Sequence, residues 1–175
     1  MKIESSVFSL QYNTDILISG TCGIGPCIDA AVQNGMLYAI QNNSMRKDVE
    51  PGGALYIFSL ENPAQPEYAG ELHGLGNARR IIIEGNIALI SAREDGLLIV
   101  DIKNPYEPVL LARYDSTEYA TAVASCYPYV FIGCRSFGVE IIDITIPDKP
   151  CHVSSVRAGE VQSLYYDNGL LFTGS

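Results

Sequence analysis

Residues 96–108 read GLLIVDIKNPYEP, an apolar run that ends on Asp101 and passes into Asn104-Pro105 and Pro108. An apolar run closed by a polar, proline-bearing stretch reads as a strand followed by a turn. The pattern recurs 42 residues later as GVEIIDITIPDKP at 138–150, and 42 residues earlier as ALYIFSLENPAQP at 54–66, with no gap inside any copy. A period near 42 with several short strands per unit marks a radial or stacked β architecture, in which one unit cannot bury its own faces. Residues 97–100, Leu-Leu-Ile-Val, show no polar and apolar alternation, so both faces of this strand must be covered, as by sheets packed face to face. Burying each such side chain is worth ~1.5–3 kcal/mol, so a unit standing alone would forfeit most of its stabilisation.

Each full repeat runs through four strand signals, A to D, which in the second repeat fall at 79–83, 87–91, 97–102 and 109–114. Gly35, Gly85 and Gly169 mark the A–B turn, and Asn-Pro or Ile-Pro the C–D turn; Tyr127-Pro128 stands in for the glycine turn of the third repeat. Asp101 and Asp143 share one position at the end of strand C, with Ser59 and Ser9 at the matching places. Because the residue repeats with the turn that follows it, a bond to that turn's backbone is expected, not catalysis. Residues 7–10 (VFSL) match 57–60 (IFSL) at an offset of 50, the period plus an insertion of eight within 41–53, QNNSMRKDVEPGG. The chain so divides into strands C and D of a split blade at 1–26, full units at 27–76, 77–118 and 119–160, and strands A and B of a split blade at 161–175. No segment reads as a long amphipathic helix.

The 175 residues carry 20 acidic and 11 basic side chains, a net charge of -9, which argues against nucleic acid or anionic membrane as a partner. The five cysteines, Cys22, Cys27, Cys126, Cys134 and Cys151, include no Cys-x-x-Cys pair and no nearby histidine pair, so no metal or cofactor is expected, and reduced thiols in a cytoplasmic compartment fit best. The opening MKIESSVFSLQYN lacks the apolar core of an export signal, and the apolar runs are of strand length, far short of a membrane span. The glycine-rich segment 21–26, TCGIGP, lacks both phosphate-loop spacing and a following helix and reads as a loop.

The B–C stretches IALISAREDGLLIVDIKNPYEP at 87–108 and VFIGCRSFGVEIIDITIPDKP at 130–150 resemble the LVIVD-repeat family of β-propellers. The resemblance covers nearly the whole chain, and the long loop at 41–53 departs from it. It implies an all-β propeller of four-stranded antiparallel blades, in proteins often taken to act by binding, and it brings no catalytic residue with it. It also suggests larger rings, so an arc of about four blade equivalents is expected, self-associating through its apolar ends, with a closed four-bladed ring as the alternative.

In a propeller the D–A and B–C loops share one face, the top, and loops on a rigid scaffold are where binding concentrates. That face would hold the long loop with Arg46, and also Arg93, Arg135, His73, Asp115, Glu118, Arg157 and Glu160. Arg93 and Arg135 lie 42 residues apart and so should point the same way from adjacent blades, a clamp for a carboxylate or phosphate. Solvated or surface-paired arginines are the competing reading. On strand A, Asp29, Arg79, Thr121 and Ser163 are repeat equivalents and all polar, expected at the central channel either as an Asp29–Arg79 ion pair across neighbouring blades or as a polar ligand ring. His73 has no identifiable base, acid or metal partner in the sequence. The expectation is a noncatalytic binding or scaffolding propeller that engages a protein or a small polar ligand through its top loops. An enzyme with its site at the channel mouth and a cell-surface adhesion module are the alternatives, since fold alone does not decide function.

Overall fold

The computed structural model describes residues 6–10, 16–21, 26–42 and 52–175, the first two segments as backbone. The described residues contain strands and no helix. Two strands, β1 (Ser6–Leu10) and β2 (Ile16–Thr21), open the order. The first full blade is β3 (Asp29–Gln33), β4 (Met36–Gln41), β5 (Ala54–Ser59) and β6 (Glu67–His73). The second is β7 (Arg80–Glu84), β8 (Ile87–Ser91), β9 (Leu97–Asp101) and β10 (Val109–Tyr114). The third is β11 (Ala120–Cys126), β12 (Tyr129–Cys134), β13 (Gly138–Asp143) and β14 (Cys151–Val156), and β15 (Ser163–Asp167) and β16 (Leu170–Gly174) close the order. The strands of each full blade pair consecutively and antiparallel, while β1–β2 and β15–β16 are two-stranded sheets. The sheets are open, and among the described residues no ladder joins β16 to β1.

The turns form as their residues require. At the A–B turns Asn34-Gly35 and Asn168-Gly169 take positive φ (51° and 73°, 47° and 82°), the backbone of a tight hairpin whose twist matches its strands. At the C–D turns Asp101 Oδ1 accepts the Lys103 N–H at 2.8 Å and Asp143 Oδ1 the Thr145 N–H at 2.7 Å, with Ser59 Oγ accepting the Glu61 N–H at 3.3 Å. The repeating acidic residue serves its turn, as expected. Gly96 and Gly138, which open strand C, have φ of 70° and 127°, and a Cβ on either would run into a carbonyl of strand D, Tyr114 O or Val156 O. Every C–D ladder also carries a register shift, between Ile57 and Phe58, between Leu110 and Ala112, and between Ile141 and Ile142, which increases the local twist of the outer strands.

The inner strands β3, β7, β11 and β15 lie side by side in that order. Leu97, Leu98, Ile99 and Val100 are all fully buried. Leu98 and Val100 pack with Ile40, Leu55 and Ile57 of the first blade, while Leu97 and Ile99 pack with Val130, Ile132 and Ile142 of the third. Successive side chains of one strand thus serve two different interfaces, which is why the sequence shows no alternation there. Beyond the third blade the apolar surface stays open: Val153, Val156, Tyr165, Leu170 and Phe172 are each more than half exposed. No helix among the described residues is long and apolar enough to cross a membrane.

Candidate functional site

Where the second and third blades and β15 meet at their inner ends, a cavity of about 440 Å³ opens. The second blade contributes Asn77 and Arg79 from the approach to β7, and Arg93 and Glu94 from the β8–β9 turn. The third contributes Tyr119 and Thr121 from the start of β11 and Arg135 from the β12–β13 turn, and Gln162 precedes β15. Three guanidinium groups therefore face one carboxylate in a chain whose net charge is -9.

The three arginines differ in setting. Arg93 and Arg135 are exposed, one on each adjacent blade, in the same repeat position. Arg93 has φ 46°, and its backbone exchanges two hydrogen bonds with Ala120: its N–H donates to Ala120 O at 3.0 Å and its carbonyl accepts the Ala120 N–H at 2.9 Å. The Arg135 N–H donates to Tyr119 O at 3.1 Å. Both residues are so bonded to the chain where it enters the inner strand of the third blade. Arg79 is half-buried: its Nη2 reaches Gln162 Oε1 at 3.5 Å, and its Nε is buried with no hydrogen-bond partner among the described residues. Burial, then the like charges of Arg93 and Arg80, hold Arg79 below the usual guanidinium range. Among the described residues none of the three makes an ion pair; the acidic neighbour Glu94 is taken instead by Asn77 Nδ2, at 3.4 Å.

The remaining walls are fixed by their own bonds. Asn77 donates its backbone N–H to Asp95 Oδ2 at 3.1 Å. Thr121 is buried, its hydroxyl set against two carbonyls, Gly133 O at 2.9 Å and Val161 O, which ties β11 both to β12 and to the segment before β15. Gln162 Nε2 donates to Glu160 Oε1 at 2.6 Å, which leaves its carbonyl oxygen turned toward Arg79.

Of the residues singled out in the sequence, Arg79, Arg93, Thr121 and Arg135 line this one cavity. The expected Asp29–Arg79 ion pair does not form: Asp29 Oδ2 accepts the Ile81 N–H at 3.0 Å, two residues further along the neighbouring strand. Ser163 lies on β15 opposite Gly174, and its neighbour Gln162 reaches the cavity in its place. His73 stands apart, its Nε2 3.1 Å from Glu71 Oε1 and its ring edge-on to Tyr56 at 5.8 Å. Arg46 falls outside the described residues. Asn77, Glu94, Tyr119 and Gln162 were not singled out; the signal that could have found two of them is that Asn77 and Tyr119 are repeat equivalents just ahead of strand A. Among the described residues no three of His, Cys, Asp and Glu are grouped to hold a metal.

The family model described as LVIVD repeat matches residues 75–116. Among solved structures the chain is similar to the computationally designed Ika4 protein, with TM-score 0.66 and 12% identity over 86% of this chain and 85% of that one. It is also similar to the computationally designed Ika8 protein, with TM-score 0.63 and 12% identity over 86% of this chain and 43% of that one. At such identity the likeness concerns the fold alone. No curated protein matches the chain in sequence.

Proposed function

The chain is a β-propeller that carries an LVIVD repeat, and from that premise we propose that it is a noncatalytic binding module for a small acidic ligand held in the cavity between the second and third blades. The observation that supports this most directly is the meeting of Arg79, Arg93 and Arg135 without an ion-pair partner among the described residues. Like charges held together lose free energy that an anion recovers, and the planar guanidinium fork matches carboxylate and phosphate. The cavity has the size of small-molecule sites, about 300–1,000 Å³.

The test is a thermal-shift screen of small carboxylates and phosphates against the purified chain, because a ligand that binds only the native state raises its melting temperature. At least one class should stabilise the protein. The double variant Arg93→Ala, Arg135→Ala should lose that stabilisation while melting without ligand at nearly the parent temperature, since both side chains are exposed. No stabilisation by any member of the screen, or unchanged affinity in the double variant, would overturn the reading.

A further inference from the structure

We infer that the ligand of this cavity carries two acidic groups, one taken inside by Arg79 and the other at the rim by Arg93 and Arg135; the inference rests on the binding role proposed above. The rim pair is exposed and set in repeat register on two adjacent turns, an arrangement suited to one acidic group held between two forks. Arg79 is a separate station. It comes from the inner-strand side of the second blade, is half-buried, and leaves its Nε donor without a partner among the described residues. A buried N–H costs free energy until an acceptor meets it, and the one oxygen that the described residues supply to this side chain, Gln162 Oε1 at 3.5 Å, lies at the outer limit of a hydrogen bond to Nη2. A second acidic group on the same ligand would supply the missing acceptor and offset the repulsion that Arg79 feels from Arg93.

Matched probes test this on the full chain. Succinate and glutarate are compared by calorimetry with their monoamides, and 3-phosphonopropionate with its carboxamide, so that the carboxylate and phosphonate arms show which acid the inner station prefers. In at least one arm the diacid should bind about tenfold or more tighter than the monoamide, the loss expected for one charge-assisted pair. Arg79→Gln should bring that diacid down to the level of its monoamide and leave the monoamide nearly unchanged. Arg79→Lys, which keeps a cation without the Nε donor, should recover part of the preference, and melting curves of both variants report whether they fold. Equal affinity for diacid and monoamide in every arm, or equal weakening of both by Arg79→Gln in a folded protein, would overturn the two-acid inference and leave a one-acid binding site standing. Binding of no probe at all would overturn both.

Discussion

Between the first and second blades the contact is made by Leu72, Leu75 and Leu98, packed against Ile40, Leu55 and Ile57. One repeat on, between the second and third blades, the same three positions hold Tyr114, Thr117 and Glu140. Glu140 is fully buried, and both of its oxygens are met: the Tyr114 hydroxyl donates to Oε2 at 3.1 Å and the Thr117 N–H to Oε1 at 2.8 Å. Burial and then the charge of Glu140 push the Tyr114 hydroxyl well above its usual range, and the same two causes push the neighbouring Cys134 thiol up to about 12, so both remain protonated donors or neutral groups. Three apolar side chains at one interface give way at the next to a buried carboxylate met by one side-chain hydroxyl and one backbone N–H. A buried carboxylate is tolerable only as part of such a set, and by itself is weak evidence of stability. What it brings is discrimination, since a blade with leucine in place of Glu140 would strand the Tyr114 hydroxyl and the Thr117 N–H.

The comparison breaks most sharply if the polar member is moved alone. Leu98→Glu would place a carboxylate where Leu75 offers no donor, because the Leu75 N–H already bonds Gly53 O at 2.8 Å. The expected loss is roughly 3–5 kcal/mol, the cost of an uncompensated buried charge, read from urea unfolding. A loss below about 1 kcal/mol would mean that the first interface admits water or donors of its own. Glu140→Ala should cost less, roughly 1–3 kcal/mol, for two partly buried donors left without an acceptor. The triple change Tyr114→Leu, Thr117→Leu, Glu140→Leu removes the carboxylate and the hydroxyl together and leaves only the backbone N–H of residue 117 without its acceptor, so it should lose less than Glu140→Ala, staying within about 1.5 kcal/mol of the parent. A triple variant as unstable as Glu140→Ala would show that the network contributes more than the satisfaction of its own groups.

The smallest effect belongs to the turns, where the blades agree. Asp143 is held below the usual carboxylate range by the hydroxyl and N–H of Thr145. A depressed folded value means that its contribution is present above the unfolded pKa and fades as pH falls through the folded one. Asp143→Asn should therefore flatten the acid limb of melting temperature against pH, slightly, between about pH 5 and pH 2. An acid limb identical to the parent's would show that the turn is indifferent to the charge.

The strands, their blade grouping and the turn bonds were legible because they repeat locally. Pro63, Pro105 and Pro147 set the register, and Asp101 and Asp143 could be assigned to their turns since the partner lies two residues away. Strand A was placed at 79–83 and forms as Arg80–Glu84, a slip of one residue at an end where Arg79 still bonds Ser91 O through its N–H. Arg93 and Arg135 hold the same repeat position and line one cavity. What the period does not encode is how far the sheets turn relative to one another, and that angle decides which inner ends share a cavity. Gln162 and Tyr119 join the arginines only through it, and Asp29 misses Arg79 because the neighbouring strand presents the Ile81 N–H at that height. Glu140 passed unnoticed within an apolar strand, since its two donors come from 23 and 26 residues away.

The reciprocal pair of backbone bonds between Arg93 and Ala120 has a consequence for time scale and entropy. A turn amide ordinarily exchanges with solvent through small local fluctuations, but the Arg93 amide is locked to another sheet and is released only when the second and third blades part. In hydrogen–deuterium exchange it should behave as a core amide, slow beside its neighbour Glu94. In the binding role proposed above, the backbone ordering of these turns was completed when the chain folded, so that an arriving anion would have only side-chain rotations left to still.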